Sequence, residues 1–177
     1  MSQRLVTATP DHSVGYTGFV GAVGGLVGGV GMGVVFHAGA NLMPVVGALY
    51  GWPTVLGGWV VHLLNSVLAG ILFAFVAAQP VFRDSTKTLA ESVAAGVVYA
   101  AAVGLVSTGL LLPVSMTLLG IQSLPEPILP VPGAFGTVLV VVSVGVAHLV
   151  YGVLLGATYA AVHSRPPAAG TVTGAVD

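Results

Sequence analysis

The segment His62–Val76, HLLNSVLAGILFAFV, decides how this chain folds, because a related segment, HLVYGVLLGATYAAV, follows at His148–Val162. The two segments align without a gap at a constant offset of 86 residues, and the identical positions include the histidine and a glycine, Gly70 and Gly156. Self-similarity at a fixed spacing indicates a duplicated structural unit. We therefore predict two tandem repeats, each carrying one histidine at the same place.

The composition places both segments in a membrane. Hydrophobic residues make up 56% of the chain, charged residues only 5%, and the mean hydropathy is +1.04. No Asp, Glu, Lys or Arg occurs in residues 12–82, 92–125 or 127–164, and each stretch exceeds the roughly 20 residues that cross a bilayer core as a helix. The polar and apolar alternation of a membrane barrel is missing from the sequence, so we expect an all-α membrane protein.

Four transmembrane helices account for these stretches. We place them at about residues 15–37, 53–79, 88–112 and 134–162. The first two form repeat 1, about residues 15–79, and the last two form repeat 2, about residues 88–162. The four-helix transmembrane domain then covers residues 14–162, between a polar tail, residues 1–13, and a disordered tail, residues 163–177.

Prolines and a capping pattern set the expected helix ends. Pro44 should interrupt any helix in the first connection, residues 38–52, and Pro53 suits the first turn of the second span. Thr88, with Glu91 three residues later, predicts a capping box that opens the third span. Pro113 should stop or kink that span after Leu112.

Small residues recur every four positions on each predicted helix and predict the faces by which the helices pack. Such faces let neighbouring backbones approach closely in a bilayer. A histidine takes one place in the stripe of the second and fourth helices, so His62 and His148 should face protein rather than lipid. The predicted packing residues are Gly21, Gly25, Gly29, Gly33, Ser66, Gly70, Gly96, Gly104, Gly152 and Gly156.

The basic residues predict the orientation. Arg4, Arg83, Lys87 and Arg165 are all the Lys and Arg that the chain has, and four spans put every one on the same side. The positive-inside rule makes that side cytoplasmic, so we expect a multi-pass protein of the cell membrane with both termini in the cytoplasm. An even number of crossings separates the two repeats, which should therefore be related by an axis along the membrane normal.

Both histidines are predicted at one depth, in the outer half of the membrane. They lie about 15–17 residues from the cytoplasmic ends of their helices, or roughly 22–26 Å at 1.5 Å per residue. The repeat symmetry should bring both imidazoles toward the bundle axis. Asn65 and Tyr151, three residues further on, are polar in both copies and are available to hold a ring nitrogen.

Three interpretations of the paired histidines are open. In the first, each is a neutral interhelical hydrogen-bonding group that serves packing, bonded to Ser66, Asn65, Tyr151 or the other histidine. In the second, His62 and His148 are the axial ligands of a b-type haem, with Asn65 and Tyr151 behind them. In the third, they handle protons or solutes in a small channel or transporter. The polar residues available for a pathway are few and scattered: Gln79, Tyr99, Ser107 and Thr108.

Residue types argue against catalysis by this chain alone. Zero cysteines exclude thiolate metal sites, iron–sulfur clusters and cysteine nucleophiles, so no metal is expected beyond the iron of a haem. Dinucleotide and phosphate-loop motifs are missing, the spans hold no carboxylate pair, and the basic residues are too sparse for nucleic acid. We expect a non-catalytic membrane subunit or scaffold whose partners are the lipid bilayer and either a second copy or a larger membrane complex, with contact through an exposed glycine face of the first helix.

The segments GWVVHLLNSVLAGILFAFV and GVAHLVYGVLLGATYA, with the glycine-rich first span, resemble a family of small, uncharacterised four-span membrane proteins of halophilic archaea. The resemblance covers about residues 15–162. It implies a fold and a setting in the archaeal membrane, and it implies no activity.

Overall fold

The computed structural model describes residues 14–122, 131 and 133–163. Within these residues the regular structure is helical, without strands, and four helical stretches are long and apolar enough to cross a membrane. The chain is therefore a multi-pass, all-α membrane protein by length and composition, as predicted. Both predicted tails lie outside the described residues, apart from His163, which ends the last helix.

The helices are α1, Val14–Ala40; α2, Met43–Ala48; α3, Val55–Ala77; α4, Leu89–Gly104; α5, Leu112–Leu118; and α6, Ala134–His163. A 3₁₀ turn, Arg83–Thr86, lies in the linker between α3 and α4. A π-helical segment, Leu105–Leu111, joins α4 to α5 and makes one continuous span of Leu89–Leu118. We call the end of the bundle that carries the linker the charged end.

Side-chain caps start α3 and α4 because the first N–H groups of a helix have no partner within it. The Thr54 hydroxyl accepts a hydrogen bond from the Gly57 N–H at 2.9 Å. Pro53 therefore precedes the cap instead of standing in the first turn of the helix. The predicted capping box is confirmed, since Thr88 accepts from the Glu91 N–H at 3.2 Å and the Glu91 carboxylate accepts from the Thr88 N–H at 2.9 Å.

Two further expectations from proline are wrong: a helix interruption at Pro44 and a stop of the third span at Pro113. Pro44 does not interrupt a helix but stands in the first turn of α2, where its missing N–H has no intrahelical partner to lose. The third span does not end at Leu112, because the helix continues through Pro113 to Leu118. The π-helical segment just before Pro113 accounts for this, since the Leu112 N–H reaches back to the Ser107 carbonyl and such adjustments accommodate proline in membrane helices.

The predicted glycine stripe of α1 is its contact face with α3. A Cβ added at Gly21 would lie 2.6 Å from the Gly70 carbonyl oxygen, and one at Gly29 would lie 2.5 Å from the Ser66 Cβ. Only glycine allows this approach of the two backbones. The face on which we placed an oligomer contact is therefore not exposed, because it is buried against α3 of the same chain.

The helices α4 and α6 meet in the same way. A Cβ at Gly96 would overlap the Gly152 carbonyl oxygen and lie 3.0 Å from the Gly156 nitrogen. Ser92, one turn toward the charged end, is fully buried and contacts Gly156. Small residues thus define the α4–α6 contact, as they define that of α1 and α3.

A second glycine face on α1, which the sequence analysis missed, packs against α6. A Cβ at Gly28 would lie 2.9 Å from the ring of Tyr151, and one at Gly24 would lie 3.0 Å from the side chain of Leu155. Half of the most apolar window of α1 is buried, against 11% for the span Leu89–Leu118. The first helix is therefore the centre of the bundle, and its many glycines serve two neighbours.

Aromatic side chains fill the space between α3 and α4. The Phe73 ring lies 5.3 Å from that of Tyr99 and 5.4 Å from that of Tyr159, and the Tyr99 hydroxyl donates to the Ala69 carbonyl at 2.7 Å. Side chains rather than close backbones therefore join these two helices, so the two helix pairs are held together mainly through α1 and α6.

Candidate functional site

Both histidines of the repeated segment are buried in protein. His62 on α3 is 5% exposed and His148 on α6 is 6% exposed. Their imidazoles both pack on the ring of Phe36 from α1, with ring centres 5.5 Å and 5.8 Å away. The structure therefore brings the two predicted residues together around a third ring that the sequence analysis did not select.

His62 makes its hydrogen bond between helices. Its Nε2 lies 2.9 Å from the Gly29 carbonyl oxygen of α1. Because a carbonyl oxygen only accepts, the ring nitrogen must carry the hydrogen. Gly33 makes room for the ring, since a Cβ there would lie 3.2 Å from the imidazole Cδ2. This bond ties α3 to α1 at a place where glycine lets the two helices meet.

His148 makes its hydrogen bond within its own helix. Its Nδ1 lies 2.9 Å from the Val144 carbonyl oxygen, so the hydrogen must be on Nδ1. The other nitrogen, Nε2, makes no hydrogen bond to any residue that the structure describes. Gly104 of α4 faces this ring, since a Cβ there would lie 3.0 Å from Nε2. The two imidazoles therefore occupy opposite tautomers.

A continuous cluster of rings extends from these histidines toward the end opposite the linker. Trp59 lies 6.2 Å from His62 and 6.3 Å from His37. His37 is half-buried, and its Nδ1 is buried without a hydrogen-bond partner among the described residues. We call His37, Trp59, His62, Phe36 and His148 the ring cluster. Phe36 and Trp59 carry no polar signal in the sequence, so only the packing reveals them.

The residues expected to hold the imidazoles bond elsewhere. Asn65 is exposed and donates to the Tyr50 hydroxyl at 2.8 Å. Tyr151 is buried, but its hydroxyl donates to the Ser66 carbonyl at 2.8 Å, which links α6 to α3. The Ser66 hydroxyl donates to the His62 carbonyl at 2.8 Å. Backbone carbonyls therefore take the bonds that we had assigned to side chains.

The arrangement does not fit a haem between the two histidines. Two axial imidazoles must present one nitrogen each to the same iron, from opposite faces of the macrocycle. Here the His62 Nε2 is directed at Gly29, and Phe36 packs against both imidazoles where the macrocycle would lie. Among the described residues, no group of three or more His, Cys, Asp or Glu could hold a metal ion either.

The polar residues of the spans do not line up as a pathway. Hydroxyls and the amide are bonded to nearby backbone carbonyls: Thr108 to Gly104 at 2.6 Å, Tyr99 to Ala69 at 2.7 Å, and Gln79 to Phe75 at 3.1 Å. Each of these bonds goes to a backbone carbonyl and not to another polar side chain, so the bonds do not join these residues into a continuous polar chain. No contact in the described residues therefore favours a channel or a transporter.

Among the described residues, charged side chains occur only in the linker and in the first turn of α4. Lys87 and Asp84 form a salt bridge of 2.6 Å on the surface, at the charged end. The hydrogen bond from Lys87 lowers the pKa of Asp84 below its usual value, and the same bond raises the pKa of Lys87. Both side chains are fully solvated, so the pair marks the membrane boundary and adds little stability.

No protein-family model, curated protein or solved structure matches this chain.

Proposed function

We propose that this chain is a non-catalytic integral membrane subunit or scaffold, in which the paired histidines serve helix packing. The observation that supports this most directly is that each imidazole donates its one hydrogen to a backbone carbonyl while its ring packs on Phe36. The His62 bond and the contacts of both rings with Phe36 hold helices together, and they need no cofactor. The ring cluster then joins the α1–α3 pair to the α4–α6 pair.

Matching contacts in the two pairs support the proposal that the domain is two tandem repeats. On α3 and α6 the repeat offset relates His62 to His148. On their partner helices, a Cβ at Gly33 would meet the His62 ring and one at Gly104 would meet the His148 ring. The same glycine contact therefore recurs beside each histidine, which a duplicated ancestor explains simply.

The proposed setting is the cell membrane, with the charged end and both termini in the cytoplasm. The proposed partners are lipid and either a second copy or a larger membrane complex, and membership of the halophilic archaeal family remains part of this proposal. Large apolar side chains cover the outside of the spans, as lipid contact requires: on α3, for example, Leu64, Leu68 and Leu72 are 56–64% exposed.

Single cysteines test the topology, because the natural chain has none. Ser85→Cys lies exposed in the linker, and Gln122→Cys lies exposed beyond α5. In sealed cells, a thiol reagent that cannot cross the membrane should label Gln122→Cys and spare Ser85→Cys until the cells are opened. The proposed bundle has one membrane crossing, Leu89–Leu118, between these two positions. Labelling of both positions from the same side would therefore contradict the proposed bundle.

An absorption spectrum of the purified protein separates the scaffold from a haem carrier. We expect a colourless protein, because Phe36 packs against both imidazoles. A Soret band that disappears in both His62→Ala and His148→Ala would overturn the proposal in favour of a haem-binding electron-transfer subunit.

A further inference from the structure

A cavity of about 550 Å³ lies beside His148, between α6 and the span that contains the π-helical segment. We call it the His148 cavity. Its size is within the range of small-molecule sites, roughly 300–1,000 Å³. Leu105 and Val141 on its walls are 74% and 59% exposed, so it opens on the lipid-facing surface. Its walls also include Thr108, Leu112, Val144 and His148.

The π-helical segment is the reason that the cavity exists. Toward the charged end, α4 and α6 touch through Gly96, Gly152 and Gly156. Beyond Gly104 the chain changes from α-helix to π-helix, and Leu105–Leu111 does not pack closely on α6. Single π-helical turns within α-helices occur often at functional sites. The change leaves apolar walls on both sides of one buried imidazole.

Both polar side chains on the walls present lone pairs to the cavity. His148 has its hydrogen on Nδ1, bonded to Val144, so Nε2 of the neutral ring can only accept. Thr108 donates its hydroxyl hydrogen to the Gly104 carbonyl, so its oxygen is left to accept. His148 is more than nine-tenths buried, and Nε2 has no partner in the described part of the chain. An occupant that satisfies these atoms must therefore bring a hydrogen.

We propose that the His148 cavity binds an apolar molecule that carries a hydroxyl group, such as an isoprenoid alcohol or an alkyl phenol, taken up from the bilayer. The hydroxyl donates to His148 Nε2 and the apolar body lies between Leu112 and Val144. A ketone or an ether of the same shape has only hydrogen-bond acceptors, and it cannot bond to His148 Nε2 or to the Thr108 oxygen, which also only accept. The cavity therefore prefers a ligand with a hydrogen-bond donor over one with acceptors alone, and a purely apolar surface would not show this preference.

Binding of farnesol and of farnesyl methyl ether to the purified protein in bilayer nanodiscs tests this directly, because the two probes differ by one hydrogen-bond donor. We expect the alcohol to bind about tenfold more tightly than the ether, the effect of one hydrogen bond. His148→Phe keeps a ring and removes the acceptor, so it should abolish the preference. His62→Phe is the matched control, since His62 does not line the cavity, and it should retain the preference.

Gly145→Leu places an apolar side chain in the cavity, because Gly145 lies on the cavity wall, and its Cβ meets no atom of the protein within 4 Å. We expect this variant to lose binding of the alcohol, whereas Gly18→Leu, equally free of contacts but on α1, should bind it normally. Equal affinity for alcohol and ether, or unchanged binding in Gly145→Leu, would overturn the proposal. Loss of binding in Gly145→Leu without any preference for the alcohol would also overturn it, since it would mean that lipid chains occupy the cavity.

Discussion

The two helix pairs of this protein start alike at the charged end and differ at the other. In the pair of α1 and α3, glycine contact continues from Gly21 to Gly33, and His62 reaches across to the Gly29 carbonyl. In the pair of α4 and α6, glycine contact reaches Gly104 in the same way, but there the helix becomes π-helical and His148 bonds within its own helix. The pair of α1 and α3, which we call the closed pair, uses its histidine to link two helices. The pair of α4 and α6, which we call the open pair, leaves a ring nitrogen facing a cavity.

The difference shows how a small change in helix geometry alters the role of one residue type. Both histidines occupy the same place in the repeated segment and both contact a glycine of the partner helix. What differs is the segment after that glycine, which is α-helical in Val14–Ala40 and π-helical in Leu105–Leu111. The route of the partner helix, and not the histidine itself, therefore decides whether the imidazole bonds to the neighbouring helix or within its own.

The largest expected effect is common to both pairs. In Gly25→Val the new side chain would overlap the backbone of Ser66, and in Gly96→Val it would overlap that of Gly152. Each substitution should lower the free energy of unfolding by about 3 kcal/mol, the upper range for overpacking. Thermal unfolding in detergent measures it, with Gly18→Val as the control that meets no atom within 4 Å. A loss in one pair alone would contradict equal packing at the charged end.

A smaller effect should separate the two histidines. His62→Phe removes a bond that ties α3 to α1, so we expect a loss of about 1–2 kcal/mol, the range for hydrogen bonds between membrane helices. His148→Phe removes a bond within one helix, which joins no second helix, so the loss should be about 0.5 kcal/mol. The same unfolding measurement ranks them. Equal losses would remove the distinction between the closed and the open pair.

The smallest effect is expected in the linker, outside both pairs. Lys87 lowers the pKa of Asp84, so the contribution of this carboxylate is present above its unfolded pKa and is lost as the pH falls through the lowered value. Because the pair is fully solvated, Asp84→Asn should leave the unfolding temperature unchanged at neutral pH and at high salt. A clear drop in stability at neutral pH would show that the linker does more than mark the charged end.

The sequence could predict the features that depend on composition and spacing. Long uncharged stretches predict the spans, the four-residue glycine spacing predicts the faces that meet, and Thr88 with Glu91 predicts a cap that the structure contains. Pro113 misled the prediction because a proline signals a helix end in isolation, whereas the π-helical turn before it is set by the surrounding structure. The backbone partners of the imidazoles and the position of Phe36 could not be predicted. Every residue has a backbone carbonyl, and a buried apolar ring has no distinctive pattern in the sequence.

The tautomers of the two histidines test the central contrast most directly. Nuclear magnetic resonance of ring-nitrogen-labelled histidine in bilayers distinguishes a hydrogen on Nδ1 from one on Nε2, and His62→Phe and His148→Phe assign the signals. The account predicts the hydrogen on Nε2 of His62 and on Nδ1 of His148. The same tautomer at both positions, or a doubly protonated ring at either, would contradict it.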